Sequence, residues 1–221
     1  GPVTATTGIF TMGTSGSDTL TTCNAIIYDN GGPNGNYSTY CDYTLVVYPA
    51  TAGSGLQISG PCVLSNYSYA NSTLTFYDGV GTNGTQLASY SNGTYEVAVA
   101  SSNPITIHFS SSYYTASGFA LTTICSNCPP PSNVTVTDID TTSATISWSG
   151  NADSYAVVLN GPSTGYYTTN DTTLTISNLN SSSFYSVQIR SLCSGDSSLL
   201  TPAVSFSTAC GAITITARQP R

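Results

Sequence analysis

Residues 143–148 read Ser-Ala-Thr-Ile-Ser-Trp, a polar–apolar alternation that places Ala144, Ile146 and Trp148 on one side. Successive side chains of a β-strand point to opposite faces of a sheet, so the pattern is typical of a strand with one buried face. The same alternation recurs in residues 43–48 and 105–109, and turn-forming Asn-Gly and Asp-Gly pairs separate such runs. Helical periodicity is almost absent. The sequence therefore predicts an all-β protein of sandwiches or barrels.

The joint of the chain is Cys128-Pro129-Pro130-Pro131. Consecutive prolines fix the backbone φ angle and remove hydrogen-bond donors, which makes a short and stiff linker. A chain of 221 residues has room for two small domains. We therefore predict one domain at residues 1–126 and a second at 127–210. Residues 211–221 are then a tail or the start of a further, truncated module.

Charged side chains are scarce, at 6% of the residues, and the net charge is −7 with no lysine. No basic patch exists to neutralise phosphates, so nucleic acid is not expected as a partner. No apolar run approaches the roughly 20 residues that a membrane helix needs, so membrane insertion is not expected either.

The cysteines indicate an oxidising compartment. There are seven, and cytosolic proteins keep few such thiols without a metal or a catalytic reason. We expect a secreted or cell-surface protein held by disulfides. The residues are Cys23, Cys41, Cys62, Cys125, Cys128, Cys193 and Cys210.

The second half of the chain resembles a fibronectin type III domain over residues 132–208. Residues 143–148 match its second strand, and Tyr155, Val157 and Leu159 match the next core strand. Leu179 and Tyr185 match the family's leucine and corner tyrosine. The resemblance implies a β-sandwich in which that tyrosine hydroxyl is tied to nearby backbone.

The first half, residues 9–125, resembles a CUB domain of the divergent type found in large bacterial secreted and surface proteins. The similarity is carried by residues 28–41, by 74–79 with their terminal Asp78-Gly79, and by 105–111 followed by Gly118-Phe119. It implies a jelly-roll-type sandwich. The complete fold expected is thus all-β, with two β-sandwich modules in tandem.

The resemblances also suggest a disulfide pairing. The CUB family's first bridge implies Cys23–Cys41, which leaves Cys62 and Cys125 as the remaining pair of that module. In a fibronectin-type sandwich the chain enters at the pole where the sixth strand ends, which brings Cys128 near Cys193. Cys210 is left over: its partner lies beyond residue 221, or it is a free thiol, or it forms an intermolecular bridge.

No metal or cofactor is expected. Many CUB domains bind calcium through carboxylates, but the two matching positions hold Ser72 and Ser112 here. Asp29 and Asp42 remain as candidates for a different calcium site. Zinc binding by Cys125 and Cys128 is improbable, because no second pair of ligands is present to complete four.

Catalysis has little support in the sequence. The single histidine, His108, lies in the middle of a predicted strand, where a polar-face residue is the simpler interpretation than a general base. No nucleophile elbow, His-Glu-x-x-His motif or phosphate-binding loop occurs. We therefore predict a non-enzymatic protein.

Tyrosine is the most suggestive residue type, with 16 in the chain. Exposed tyrosines offer broad, rigid contact area with a polar tip, which suits glycan and protein ligands. The pairs Tyr113-Tyr114 and Tyr166-Tyr167 lie in or beside predicted loops and are the leading candidate contacts. The alternative is that many of these tyrosines simply complete strands, since β-proteins are rich in them.

The function predicted from the sequence is extracellular recognition or adhesion, with a glycan or protein ligand, inside a larger secreted or surface-anchored protein. Two other functions remain open. One is a structural spacer or fibre unit. The other is a set of accessory modules of a secreted hydrolase whose catalytic domain lies outside this chain.

Overall fold

The computed structural model describes residues 3–4, 8–69 and 71–211, and confirms the all-β fold of tandem sandwiches. The predicted tail or further module at 211–221 lies outside the described residues except for Gly211. The strands of the first half are β1 Val3–Thr4, β2 Gly8–Thr11, β3 Ser15–Thr22, β4 Ala25–Tyr28, β5 Asp42–Pro49, β6 Leu56–Val63, β7 Thr73–Asp78, β8 Gln86–Ser91, β9 Thr94–Ser101, β10 Ile105–Ser110 and β11 Gly118–Cys125. A single turn of 3₁₀ helix, Gly32–Asn34, lies between β4 and β5.

Strands β1–β11 form what we call the N-terminal sandwich. One sheet has the order β1-β3-β5-β10-β7-β8 and the other the order β2-β4-β11-β6-β9. The alternation noted in the sequence fills the space between the sheets, because Leu45 and Val47 of β5 and Ile105, Ile107 and Phe109 of β10 are all buried in one core. Their polar neighbours in each strand lie on the outer face.

The remaining strands form the C-terminal sandwich. They are β12 Ser132–Thr137, β13 Ala144–Ser149, β14 Ser154–Asn160, β15 Gly165–Thr169, β16 Thr173–Ile176, β17 Phe184–Cys193, β18 Asp196–Ser197 and β19 Val204–Ser207. One sheet has the order β12-β13-β16, and the other the order β15-β14-β17-β18, with β19 also paired to β17.

The core of the C-terminal sandwich follows the sequence pattern closely. Trp148 packs edge-on against Tyr155, with ring centroids 5.4 Å apart. Tyr185 is buried, and its hydroxyl oxygen accepts a hydrogen bond from the backbone N–H of Asn180 at 2.9 Å. This is the tie between a corner tyrosine and upstream backbone that the resemblance implied.

The disulfides are Cys23–Cys125 and Cys128–Cys193. The second confirms the predicted pairing. The first shows that the predicted Cys23–Cys41 and Cys62–Cys125 pairs were wrong.

The physical reason is the register of β4 on β11. These strands run antiparallel with Ala120 opposite Tyr28 and Thr122 opposite Ile26, and continuing that register places residue 23 opposite residue 125. The Cα atoms of Cys23 and Cys125 are accordingly 4.8 Å apart, within the range for a disulfide.

Cys41 and Cys62 are therefore free, buried thiols, and Cys210 is a free, exposed one. The Cys41 thiol donates to the backbone carbonyl of Ser38 at 3.2 Å. Burial raises the pKa of the Cys62 thiol to about 12, and the nearby charge of Asp29 adds to the effect. The Cys62 thiol is thus kept in its neutral, unreactive form.

The two sandwiches contact each other through the buried side chain of Gln57 on β6. Its amide nitrogen donates to the carbonyl of Cys128 at 2.6 Å, and its amide oxygen accepts from the N–H of Leu199 at 2.7 Å. A carboxylate oxygen of Asp196 also accepts from the Ser126 hydroxyl at 2.9 Å and from the N–H of Asn127 at 3.1 Å. The stiff linker of the sequence is thus additionally held by hydrogen bonds from both sides.

Candidate binding surface

Three loops meet at one end of the N-terminal sandwich. They comprise residues 36–41, before β5, residues 64–69 and 71–72, before β7, and residues 111–117, between β10 and β11. Ser112 joins them, because its carbonyl accepts from the N–H of Tyr40 at 2.9 Å and its hydroxyl accepts from the N–H of Asn71 at 3.1 Å. These loops are adjacent because β10 lies between β5 and β7 in the sheet.

The loops carry a group of tyrosines that we call the tyrosine patch, Tyr40, Tyr67, Tyr69, Tyr113 and Tyr114. The ring of Tyr67 stacks on that of Tyr114 with centroids 4.5 Å apart and planes 15° apart, and Tyr113 meets Tyr114 edge-on at 5.4 Å. Tyr114 is half-buried under its neighbours. The other four are exposed, from 66% for Tyr67 to 87% for Tyr69.

A buried tyrosine holds the patch in place from below. The hydroxyl of Tyr37 accepts from the N–H of Ser65 at 2.8 Å and donates to the Ser72 hydroxyl at 3.0 Å. Its ring packs edge-on against Phe109 of the core at 5.1 Å. Two loops are thereby fixed to the sheet, so the exposed tyrosines are presented on an ordered base.

A second support is the buried carboxylate of Asp29. One oxygen accepts from the N–H of Gly31 and the other from the N–H of Phe119, both at 2.8 Å. A Cβ atom at Gly118 would lie 1.8 Å from this carboxylate, and Gly118 has φ +73°. Burial raises the pKa of Asp29, although the backbone hydrogen bonds oppose that shift.

These contacts explain why the residues considered for calcium serve other purposes. Both Asp29 oxygens are directed at backbone amides, whereas Asp42 is exposed and its carboxylate lies 2.8 Å from the Nε2 atom of His108. Ser72 and Ser112 hold the loops as described. Within the described residues, no group of three or more His, Cys, Asp or Glu side chains is placed to bind a metal ion.

Tyr166 and Tyr167 are arranged differently from the patch. They are neighbours on β15, so their side chains point to opposite faces of the sheet. Tyr166 is 64% exposed, while Tyr167 packs against the core of the C-terminal sandwich. The structure therefore brings Tyr113 and Tyr114 together with Tyr67, but it separates the two members of the second predicted pair.

Sequence reasoning missed the contribution of Tyr67 to the stack and the anchoring role of Tyr37. The available signal was the high tyrosine content of the chain. Tyr37 is 1% exposed, whereas Tyr67 is 66% exposed. This difference depends on contacts with residues remote in sequence.

Comparison with known families identifies part of the chain. Residues 129–206 match the fibronectin type III domain. The matched residues cover the C-terminal sandwich from the linker to β19, which supports the fibronectin type III assignment of this half.

Several solved structures are similar to part of the chain. One titled "Myokine structure" has 20% identity and a TM-score of 0.35, and the match covers 38% of this chain and 99% of that one. The FN5 domain of Drosophila Lar has 18% identity and a TM-score of 0.34, with 38% and 100% covered. The fn3 domain of human contactin 1 has 12% identity and a TM-score of 0.38, with 41% and 87% covered.

A comparison with curated proteins found no match. Among the residues that the structure describes, no helix has the length and apolar character needed to cross a membrane.

Proposed function

We propose that this chain is a non-catalytic extracellular recognition module that binds a glycan or protein ligand through the tyrosine patch. The observation that carries the proposal is the stack of Tyr67 on Tyr114 with Tyr113 at its edge. Large exposed aromatic groups are uncommon on monomeric soluble proteins unless they contact a partner. Fibronectin type III domains are typically non-catalytic binding or spacer modules, which agrees with this role.

Order and low charge favour binding by this surface. Tyrosine has few rotatable bonds, and loops already fixed by Tyr37 and Ser112 lose little freedom when a ligand binds. With 6% charged residues, the contacts would rest on stacking and hydrogen bonds and would depend little on salt.

We assign the N-terminal sandwich, residues 1–126, to a CUB-like domain and residues 127–210 to the fibronectin type III domain. The CUB-like assignment is supported by two facing sheets and by the positions of the quoted motifs. Residues 74–78 form most of β7, residues 105–110 form β10, and Gly118 begins β11. The Cys23–Cys125 bridge departs from the pairing that the family resemblance implied.

The disulfides favour a secreted or cell-surface location, because such bonds persist in oxidising compartments. We further propose that the chain is part of a larger polypeptide. Cys210 would then bond to a cysteine of a following module, in the way that Cys128 bonds to Cys193.

The experiment is a screen of the intact oxidised protein on a glycan array and a panel of matrix proteins, with calcium and with chelator. Saturable binding that the chelator leaves unchanged supports the proposal. Binding abolished by chelator contradicts the metal-free mechanism. If the protein binds no glycan on the array and no matrix protein of the panel, a spacer or accessory role is favoured.

The spacer is the second candidate function, and the contact between the sandwiches favours it. Gln57 and Asp196 hold the two sandwiches in one orientation through hydrogen bonds to both, as a rigid rod requires. A fibre unit predicts filaments in electron micrographs of the concentrated protein. Discrete monomers that bind a ligand favour recognition.

A further inference from the structure

A cleft of about 430 Å³ lies where the two sandwiches meet. One wall is the outer face of the sheet containing β6, β9 and β11, with Ser59, Glu96 and Thr122. The opposite wall is the outer face of β17 with Gln188 and Arg190, continued by residues 197–202. The volume falls within the range of small-molecule sites, about 300–1,000 Å³.

Two residues of rare charged types line this cleft. Arg190 is the only arginine or lysine before residue 218, and Glu96 is the only glutamate of the chain. They come from different sandwiches and line the same cleft. No ion pair joins them within the described residues.

The guanidinium of Arg190 has no hydrogen-bond partner among the described residues. Its Nε atom is buried without a hydrogen-bond partner in the described part of the chain. Because Nε is enclosed, a ligand in the cleft would contact the terminal nitrogens of the guanidinium, which make no hydrogen bond with the described residues. An arginine fork matches the two oxygens of a carboxylate.

The other lining groups indicate what accompanies that carboxylate. The hydroxyls of Ser59 and Thr122 and the carboxylate of Glu96 suit hydroxyl groups, while Ile124 and Leu200 supply apolar surface for C–H groups. A ligand that offers one carboxylate and several hydroxyls on a compact ring uses all of them.

We propose that the cleft between the sandwiches binds a sugar acid of the hexuronate class, with its carboxylate on Arg190 and its hydroxyls on Glu96 and the facing hydroxyl groups. The site is separate from the tyrosine patch, so the test of this proposal does not depend on the test of binding by the patch. Its shape depends on Gln57, because Gln57 holds Leu199 of the cleft wall against the N-terminal sandwich.

The test is a titration of the full chain, labelled with ¹⁵N, followed by amide chemical shifts. The probes are D-glucuronate, neutral D-glucose and acetate. D-glucuronate should shift the amides of strands β9, β11 and β17 at the cleft with a Kd at least about tenfold lower than either control, because D-glucose lacks the carboxylate and acetate lacks the hydroxyls.

R190Q should raise the Kd for D-glucuronate about tenfold or more, whereas D153N, which also changes one charge but lies in an exposed loop, should leave it unchanged. If R190Q fails to fold, R190K serves instead: it keeps the charge, loses the fork, and should weaken binding severalfold. The proposal is overturned if D-glucose or acetate binds as tightly as D-glucuronate. It is also overturned if a folded Arg190 variant binds D-glucuronate with an unchanged Kd, or if D-glucuronate shifts no amides at the cleft.

Discussion

Tyr67 and Tyr114 lie on different loops, yet their rings stack face to face with centroids 4.5 Å apart. Tyr113 completes the arrangement from the edge. The loop of Tyr67 connects β6 to β7, and the loop of Tyr114 connects β10 to β11. Because β7 and β10 are neighbours in one sheet and β6 and β11 are neighbours in the other, the strand order itself builds the surface that we assign to ligand binding.

A double-mutant cycle should detect this stack in the free protein. Aromatic pairs contribute about 0.5–1.5 kcal/mol beyond the area they bury, so Y67A and Y114A should be coupled by roughly that amount in the free energy of unfolding. The control pair is Y67A with Y166A, on different sandwiches, where the effects should add within about 0.5 kcal/mol. Additivity of Y67A and Y114A would contradict the stack.

Removing the hydroxyl of Tyr37 should weaken the base of the patch. Y37F leaves the buried N–H of Ser65 without its acceptor and the Ser72 hydroxyl without its donor. We expect the free energy of unfolding in urea to fall by about 1–3 kcal/mol. The matched control is Y40F at an exposed ring, which should change it by less than about 0.5 kcal/mol. Equal effects of the two variants would rule out the anchoring role.

Alanine substitutions at Gly118 and Gly195 test the close contact between Gly118 and the buried Asp29 carboxylate. Both have φ +73°, but a Cβ atom at Gly118 would lie 1.8 Å from an Asp29 carboxylate oxygen, whereas nothing lies within 4 Å at Gly195. G195A should cost about 1–2 kcal/mol from backbone strain alone. G118A should cost about 3 kcal/mol or more, measured by denaturant unfolding. Equal costs would show that Asp29 is not held against Gly118.

The contributions of Asp29 and Asp18 to the free energy of unfolding should change with pH in opposite directions. Burial raises the pKa of Asp29 above its ordinary value of 3.8, whereas a hydrogen bond from the Tyr43 hydroxyl lowers the pKa of Asp18 below it. The contribution of Asp29 to stability is therefore complete below pH 3.8 and declines as the pH rises through its folded pKa. The contribution of Asp18 is present above pH 3.8 and is lost as the pH falls through its folded pKa.

An NMR titration of the side-chain carboxyl carbons measures both groups in one sample. Asp29 should titrate at a higher pH than Asp18. The reverse order would contradict the buried position of Asp29.

The cysteines make a chemical prediction. In the folded 221-residue chain by itself at pH 8, iodoacetamide should modify exposed Cys210 but not Cys62, whose pKa is raised to about 12 by burial. A digest without reduction should yield peptides joined through Cys23–Cys125 and Cys128–Cys193. A Cys23–Cys41 peptide, or fast modification of Cys62, would contradict the structure.

Local sequence pattern predicted some of the strands. Alternation at residues 143–148 and 105–109 predicted most of β13 and most of β10. The buried corner at Tyr185 was implied by the resemblance to fibronectin type III domains. The Cys128–Cys193 pair was likewise predictable from the resemblance.

Features that depend on pairing between distant strands were not predictable. The Cys23–Cys125 bond follows from the register of β4 on β11, which no local pattern encodes. The cleft shared by Glu96 and Arg190 requires the contact of two sandwiches. Tyr166 and Tyr167 illustrate a further limit, because adjacency in sequence suggested one surface although strand geometry separates their rings.

The most direct test of the account compares ligand binding by three forms of the intact protein: wild type, Y67A/Y114A, and Y166A as an exposed control outside the patch. The ligand is one found on the glycan array or matrix panel. The patch double variant should lose about 2 kcal/mol or more of binding free energy, roughly thirtyfold in Kd, while Y166A binds like the wild type. Undiminished binding by a folded Y67A/Y114A variant would contradict the assignment of recognition to the tyrosine patch.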